Sequence, residues 1–311
     1  MNPYIVLVIQ LFLSGLNYII ANAATQSIPP ANLTFLRTII SGVVYLSYFF
    51  YAGLPFKFSG RDLRLLLFLS FISVSFNQFG FLYGMKYTTA TEAAILYTLT
   101  PVFIMFLSRT YLSEKITAPK ILGAIMALGG ATFTVLSRVT PAQDDMHFGF
   151  DHFKGDIFIL IAVMAWGTYT TLGRKLIVKH GAINSTVFTA LIGTAMFAPV
   201  GIYSSVGYNY FSLSGGLWAE VLFLSLGTSV AGYVLWYYAL GKIEASKVAV
   251  FINGQPVITA ILAYIFLGQG ITAMFAAGAI VTIAGVIITQ VDSRKKVGQV
   301  SPAGRDAQKT I

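Results

Sequence analysis

Few side chains in this sequence can do chemistry, and those present suit binding better than catalysis. Arg37 is the one basic residue set well inside an apolar run, about a turn and a half from its end. A guanidinium at such depth costs roughly 2.5–3.5 kcal/mol on insertion scales, so it marks either a pathway or a fixed pairing. Two roles fit it equally: binding a substrate carboxylate, or snorkelling outward to cap a carbonyl as a structural pin. A set of amides and aromatics shares the apolar runs: Asn17, Tyr18, Asn77, Gln78, Tyr83, Tyr97, Trp166, Tyr169, Tyr233, Trp236, Tyr237, Asn253 and Gln255. Amides in lipid need partners and should face a bundle interior. Tyr48, Tyr51, Tyr203 and Tyr208 fall near the ends of their runs and suit an interfacial belt instead.

Two prolines complete the set. Pro101 and Pro256 lie mid-run at corresponding places, each preceded by polar residues: Tyr97, Thr98 and Thr100 in one case, Asn253, Gly254 and Gln255 in the other. A proline inside a helix removes a donor and clashes with the carbonyl four residues earlier, so both positions predict kinks. Matched interruptions of this kind point to a transport site. The other reading is a packing kink whose freed carbonyl bonds to a neighbour.

Absences narrow the chemistry. Without cysteine, neither a disulfide nor a thiolate metal site can form. His147, His152 and His180 fall in polar connections, and Glu92, Glu114, Asp156, Glu220 and Asp292 lie near the ends of apolar runs. A proton relay through a central carboxylate is therefore unsupported. There is no phosphate-binding loop, no HExxH and no GxSxG. The expectation is a protein with no catalytic residue, no metal and no cofactor, and not an enzyme.

The elements that must position these residues are membrane helices. The chain has 311 residues, 56% hydrophobic and 10% charged, against about 25% charged for a soluble domain. Its mean hydropathy is +0.76. Runs long enough to cross a bilayer fall near 3–24, 32–52, 63–85, 91–111, 118–138, 155–178, 184–205, 217–239, 246–267 and 272–291. The first lacks a basic leader and reads as a retained helix. Of the 20 Lys and Arg residues, 16 sit at one set of alternate ends. That bias places both termini in the cytoplasm, with the protein in the cytoplasmic (inner) membrane. The net charge of +9 forms no dense cluster with interleaved aromatics, so nucleic acid is not an expected partner.

Self-comparison divides the chain. Residues 83–134 align without a gap to 238–289, with 15 of 52 positions identical, and earlier segments match at an offset near 152. The reading is an all-α membrane protein of ten helices in two five-helix repeats, 1–138 and 155–293. An acidic extracytoplasmic linker (139–154) separates them, and a disordered basic cytoplasmic tail (294–311) follows. An odd number of helices per unit makes the second copy enter the membrane inverted. Charges agree: Glu114 stands over Gln269, and Arg174 over Asn22. Arg37 stands over Thr189, so its charge is not duplicated. Inverted repeats are common in secondary transporters.

The stretch YGMKYTTATEAAILYTLTPVF (Tyr83–Phe103), then LSEKIT (Leu112–Thr117) and Gly123, resembles the EamA-type drug/metabolite transporters. Phe35-Leu36-Arg37 resembles that family's second-helix arginine, and the pattern returns around Pro256 and Gly278. The resemblance implies ten helices, a central cavity between the halves, and export of amino acids or similar metabolites. Gln269 departs from it, standing where the family often has an acid matching Glu114. The expected partners are a small-molecule substrate and the bilayer, with the chain a monomer or homodimer. The rival reading keeps the fold: a channel-like facilitator, or a flippase or scrambler of a lipid-linked compound.

Overall fold

The computed structural model describes residues 2–88, 93, 96–136, 150–258, 261–262 and 273–291, and among these no strand occurs. Helix α1 (Pro3–Ser27) starts where Asn2 Oδ1 accepts from the Tyr4 amide at 2.9 Å, with Pro3 pre-set for the first turn. Helix α2 (Pro30–Ala52) also begins on a proline and ends at Gly53, whose φ of 57° supplies the left-handed stop. Then come α3 (Gly60–Tyr87), α4 (Thr100–Leu112), α5 (Ala118–Leu136), α6 (Phe150–His180), α7 (Ala182–Ser205) and α8 (Gly215–Leu240). The short α9 (Ala245–Val250) runs into a 3-10 turn (Phe251–Gly254), and α10 (Ala273–Val291) closes the described chain.

Six of these helices are long and apolar enough to cross a membrane, and α5 and α10 contain shorter apolar stretches. The acidic residues Glu92, Asp144, Asp145 and Asp292, residues 259–260 and 263–267 of the run 246–267, Gln269 and the tail lie outside the described residues. Helix α6 starts at Phe150, inside the segment expected to be linker.

The prolines behave differently from simple kinks. Leu96 and Tyr97 are helical, Thr98 and Leu99 form a turn, and a new helix starts at Thr100 with Pro101 in its first turn. At the corresponding place the chain forms the 3-10 turn Phe251–Gly254, and helix resumes at Gln255 with Pro256. A proline in a first turn sacrifices a donor that has no partner anyway. The backbone is thus broken before each proline rather than bent at it.

Two further irregularities match. The middle of α3 (Ile72–Gln78) and of α8 (Phe223–Gly232) winds as π-helix. Shifting the first by 152 gives 224–230, inside the second. Wider winding misaligns the i→i+4 ladder, and such bulges cluster at functional sites.

Packing repeats as well. A methyl group added at Gly123 would stand 2.6 Å from the Gly285 carbonyl, and one at Gly130 would stand 2.8 Å from the Gly278 carbonyl. Gly123 corresponds to Gly278 and Gly130 to Gly285, so these two contacts exchange under a two-fold operation. The order also makes α5 and α10 antiparallel. Elsewhere, Asn22 Nδ2 donates to the Met85 carbonyl at 3.3 Å, and the corresponding Arg174 Nε donates to the corresponding Leu240 carbonyl at 3.3 Å.

Candidate functional site

Each break in regular geometry turns a polar group inward. On α1, Gln10, Ser14 and Asn17 recur at i, i+4 and i+7 and so share one face; Gln10 Nε2 donates to Ser14 Oγ at 2.7 Å. The π segment of α3 ends on Asn77 and Gln78, both buried. In α8 the π segment carries Thr228 and Ser229, and Tyr233 follows directly. Tyr97 is the last helical residue before the turn that precedes Pro101, Ile252 comes from the 3-10 turn before Pro256, and Gln255 is the first residue of the helix that resumes there. All of these except Ser229, together with Arg37, Phe81, Trp166 and Trp236, line a cavity of about 90 Å³. One water occupies 10–15 Å³ on that measure, so the space suits roughly six to nine non-hydrogen atoms.

Aromatic clusters bound the cavity on two sides. Toward the end holding Met85 and Ile159, Tyr18, Phe81 and Tyr97 pack edge-to-face at centroid distances of 5.5, 5.7 and 5.7 Å. Toward the end holding Leu240 and Ala245, Trp166 lies 5.3 Å from Tyr233 and 5.4 Å from Trp236, and Tyr169 stacks on Tyr237 at 4.9 Å. Trp236 Nε1 donates to Thr170 Oγ1 at 3.2 Å, satisfying the one polar atom of a buried indole.

Arg37 is only 4% exposed. Its Nε donates to Ser229 Oγ at 2.6 Å and its Nη2 to Thr228 Oγ1 at 3.0 Å. Tyr45 Oη donates to the Ser229 carbonyl at 2.7 Å, taking up an acceptor within the π segment. Opposite, Tyr233 Oη donates to Asn77 Oδ1 at 3.0 Å, and Asn77 Nδ2 donates to the Ala162 carbonyl at 3.1 Å. Asn17 Oδ1 is buried and has no hydrogen-bond partner among the described residues. Among the described residues, no carboxylate lines the cavity. The site is a cation and several amides set among aromatic faces.

Eight of the eleven binding residues read from the sequence line this cavity: Asn17, Arg37, Gln78, Tyr97, Trp166, Tyr233, Trp236 and Gln255. Tyr169 instead lines a neighbouring void of about 10 Å³ shared with Tyr45, Ser229 and Tyr233, room for about one water. Tyr83 stands apart, packed 4.3 Å from Phe158 with Lys154 Nζ 5.3 Å above its ring. It lies five residues past Gln78, roughly 140° around the helix, and so faces away. Asn253 is fully buried but does not line the cavity, and neither of its amide atoms has a partner among the described residues. Gln10, Ser14 and Thr228 were not read as site residues; the i, i+4, i+7 polar stripe ending at Asn17 was the available signal for the first two.

A second polar constellation closes one end of the bundle. The Glu114 carboxylate, 8% exposed, accepts from Arg174 Nη1 at 2.7 Å and from the Ala245 amide at 2.8 Å through Oε1. Its Oε2 accepts from the Ser246 amide at 3.3 Å and from Ser246 Oγ at 2.6 Å. It thereby caps the first turn of α9, which the preceding turn leaves with free donors. Beside it Lys120 Nζ lies 2.6 Å and Lys247 Nζ 3.5 Å from Glu244 Oε2. Partial burial would raise the Glu244 carboxyl, but the Lys120 hydrogen bond and the two lysine charges outweigh it and hold its pKa below the ordinary value.

The family model described as the EamA-like transporter family matches residues 1–136 and 153–291. An "Uncharacterized transporter" of Archaeoglobus fulgidus is 28% identical over 289 residues, covering 93% of this chain and 97% of that protein. The "Uncharacterized transporter YetK" of Bacillus subtilis is 27% identical, covering 98% and 91%. A "Probable amino-acid metabolite efflux pump" of Salmonella typhimurium is 25% identical, covering 88% and 90%. A solved crystal structure superposes with a TM-score of 0.74 at 16% identity, over 94% of this chain and 98% of that one, and shares the fold.

Proposed function

Since the chain belongs to the EamA-like transporter family and is a transmembrane transporter rather than an enzyme, we propose that it exports small organic metabolites, amino acids or close analogues, by alternating access. The observation that carries this reading is the cavity lined from both halves of the chain, with Arg37 on its wall and aromatic clusters toward both ends. Arg37 pairs with a carboxylate of the cargo. Asn17, Gln78 and Gln255 offer hydrogen bonds, and Trp166, Tyr233 and Trp236 offer faces for an ammonium group or an apolar side chain. The name of the Salmonella relative supports a metabolite cargo.

The working architecture is ten helices in two inverted five-helix units that rock against each other. The matched π segments, the matched breaks before Pro101 and Pro256 and the two-fold antiparallel contact of α5 with α10 support it. The basic ends face the cytoplasm across the inner membrane, and the carrier acts as a monomer or homodimer.

The test is counterflow in proteoliposomes with a panel of amino acids and related carboxylates. The expected result is saturable counterflow of one class of compound, with Trp166→Ala and Gln255→Ala each raising the apparent KM tenfold or more. Unchanged rate and affinity in both variants rejects this site. Flux that fails to saturate points to a pore.

A further inference from the structure

Among the described residues lining the cavity, Arg37 carries the only formal charge. Both of its hydrogen-bond acceptors, Ser229 Oγ and Thr228 Oγ1, are neutral hydroxyls. A guanidinium has five N–H donors, so the rest of the fork, including both hydrogens of Nη1, has no partner among the described residues.

Among the described residues, the carboxylates that could balance it are engaged elsewhere or distant along the chain. Glu114 is held by Arg174, Asp62 by Lys179 and His180, and Glu244 by Lys120 and Lys247. Asp156 accepts from Thr88 Oγ1 at 2.6 Å. Glu220 lies eight residues before Thr228 on α8, about 12 Å along the axis. A buried charge without a counter-charge is the costly arrangement. Fixed hydroxyls on one side of the guanidinium and open cavity on the other leave a diffusible ion as the balancing group.

We propose that Arg37, held by Ser229 and Thr228 on the cavity wall, is an exchange site for a small inorganic anion. The anion balances the guanidinium when no cargo is bound, and the carboxylate of the cargo displaces it. Net movement of cargo one way is then coupled to anion movement the other way. The proposal rests on the transport reading of the same cavity and adds its counter-ion. Its physical basis is that an empty cavity must change access carrying an unbalanced buried cation, whereas either loaded form changes access neutralised. Exchange is therefore faster than return of the empty carrier.

Chloride is the probe. In nanodiscs at constant ionic strength, replacing gluconate by chloride should raise the melting temperature and shift the tryptophan emission saturably, because Trp166 and Trp236 share the cavity with Arg37. In vesicles loaded with chloride and a halide-sensitive dye, external nitrate should exchange with chloride through the wild-type protein. Arg37→Gln should slow that exchange at least tenfold and abolish the chloride response. Arg37→Lys, which keeps the charge, should retain part of both. Equal melting temperatures of wild type and Arg37→Gln in gluconate establish that the variant is folded.

Wild-type vesicles that do not exchange chloride, or a chloride response surviving in Arg37→Gln, overturn the proposal whatever the metabolite panel gives. Net metabolite uptake into metabolite-free vesicles that is rapid yet indifferent to trans chloride also overturns it, while leaving the transport reading intact. A panel without any carried metabolite sinks the transport reading; chloride–nitrate exchange lost in Arg37→Gln would still uphold the anion site.

Discussion

Replacing Glu114 by alanine removes one carboxylate and, with it, four hydrogen bonds to Arg174, the Ala245 and Ser246 amides and Ser246 Oγ. Removing one partner of a buried ion pair costs about 3–5 kcal/mol. The Arg174 side chain is 22% exposed and reaches water, so the lower end applies. These contacts join the α4–α5 connection to α6 and to the first turn of α9. Any motion that opens this end of the bundle must break them. Loss of about 3 kcal/mol from the closed form alone shifts the closed–open equilibrium by about two powers of ten. Glu114→Gln keeps a neutral acceptor for the amides and loses the charge, so about 1 kcal/mol and a several-fold shift follow. The chain contains no cysteine, which makes the readout clean. A single thiol at Val248→Cys, fully buried in α9 behind the cap, reports opening by its labelling rate with an impermeant maleimide. The expected order of rates is wild type, then Glu114→Gln, then Glu114→Ala. Equal labelling in all three backgrounds, with a lowered melting temperature in Glu114→Ala, would refute the gate and reduce Glu114 to a structural cap.

Three further outcomes are expected. Gly123→Ala should lower stability by about 1–3 kcal/mol in thermal unfolding, because the new methyl meets the backbone of α10; Gly129→Ala, with open space at the same position on the next face, should stay within about 0.5 kcal/mol. Tyr83→Leu should leave the apparent KM of the carried metabolite unchanged, whereas Tyr97→Leu should raise it several-fold in the same counterflow assay. Glu244 has a folded pKa below its unfolded value, so its contribution is present above the unfolded pKa and lost as pH falls through the folded one. With the side chain 42% exposed the effect is small, about 0.5–1 kcal/mol. Glu244→Gln should flatten the loss of melting temperature between pH 5 and pH 3 by that amount.

Helical class and most of the polar lining were legible because both follow from local rules. An amide in a lipid-length apolar run must turn inward, and Asn17, Gln78 and Gln255 do. What was not legible depends on relations across the chain. The partners of Arg37 lie 191 and 192 residues away, and the π winding of α8 that carries them has no local sequence signature. The α9 partners of Glu114 lie 131 and 132 residues away, at a turn made available only by the fold, and Arg174 lies 60 residues away. Tyr83, five residues past Gln78, stands on another face of α3, a matter of helical phase that residue type does not carry. Asn253 lies in the 3-10 turn before Pro256, buried and off the cavity lining.

The scaffold is closer to symmetric than its charges are. Asn22 and Arg174 occupy corresponding positions and donate to corresponding carbonyls, Met85 and Leu240, at the same 3.3 Å. Arg174 additionally reaches Glu114, whereas Asn22 has no charge to offer, and the sequence places Gln269 where Glu114 has its counterpart. Arg37 likewise faces a position held in the other half by Thr189. If the two halves exchanged conformations on a fully symmetric scaffold, the two access states would have equal energy and a single cavity charge would have nothing to sense. With the ion-paired cap at the Glu114 end, and Gln269 and Asn22 at the corresponding sequence positions, closing the Glu114 end gains a charge-assisted set of hydrogen bonds that those two residues cannot supply as an ion pair. On the proposed alternating-access reading, the resting equilibrium is expected to favour the form closed at the Glu114 end, and Glu114→Gln, by making the ends more alike, should bring the two labelling accessibilities closer together. A Gln269→Glu substitution offers the reverse test: adding a carboxylate at the other end without an arginine beside it should not restore symmetry, whereas pairing it with Asn22→Arg should. Restoration by Gln269→Glu alone would show that the helix-cap contribution, not the ion pair, sets the bias.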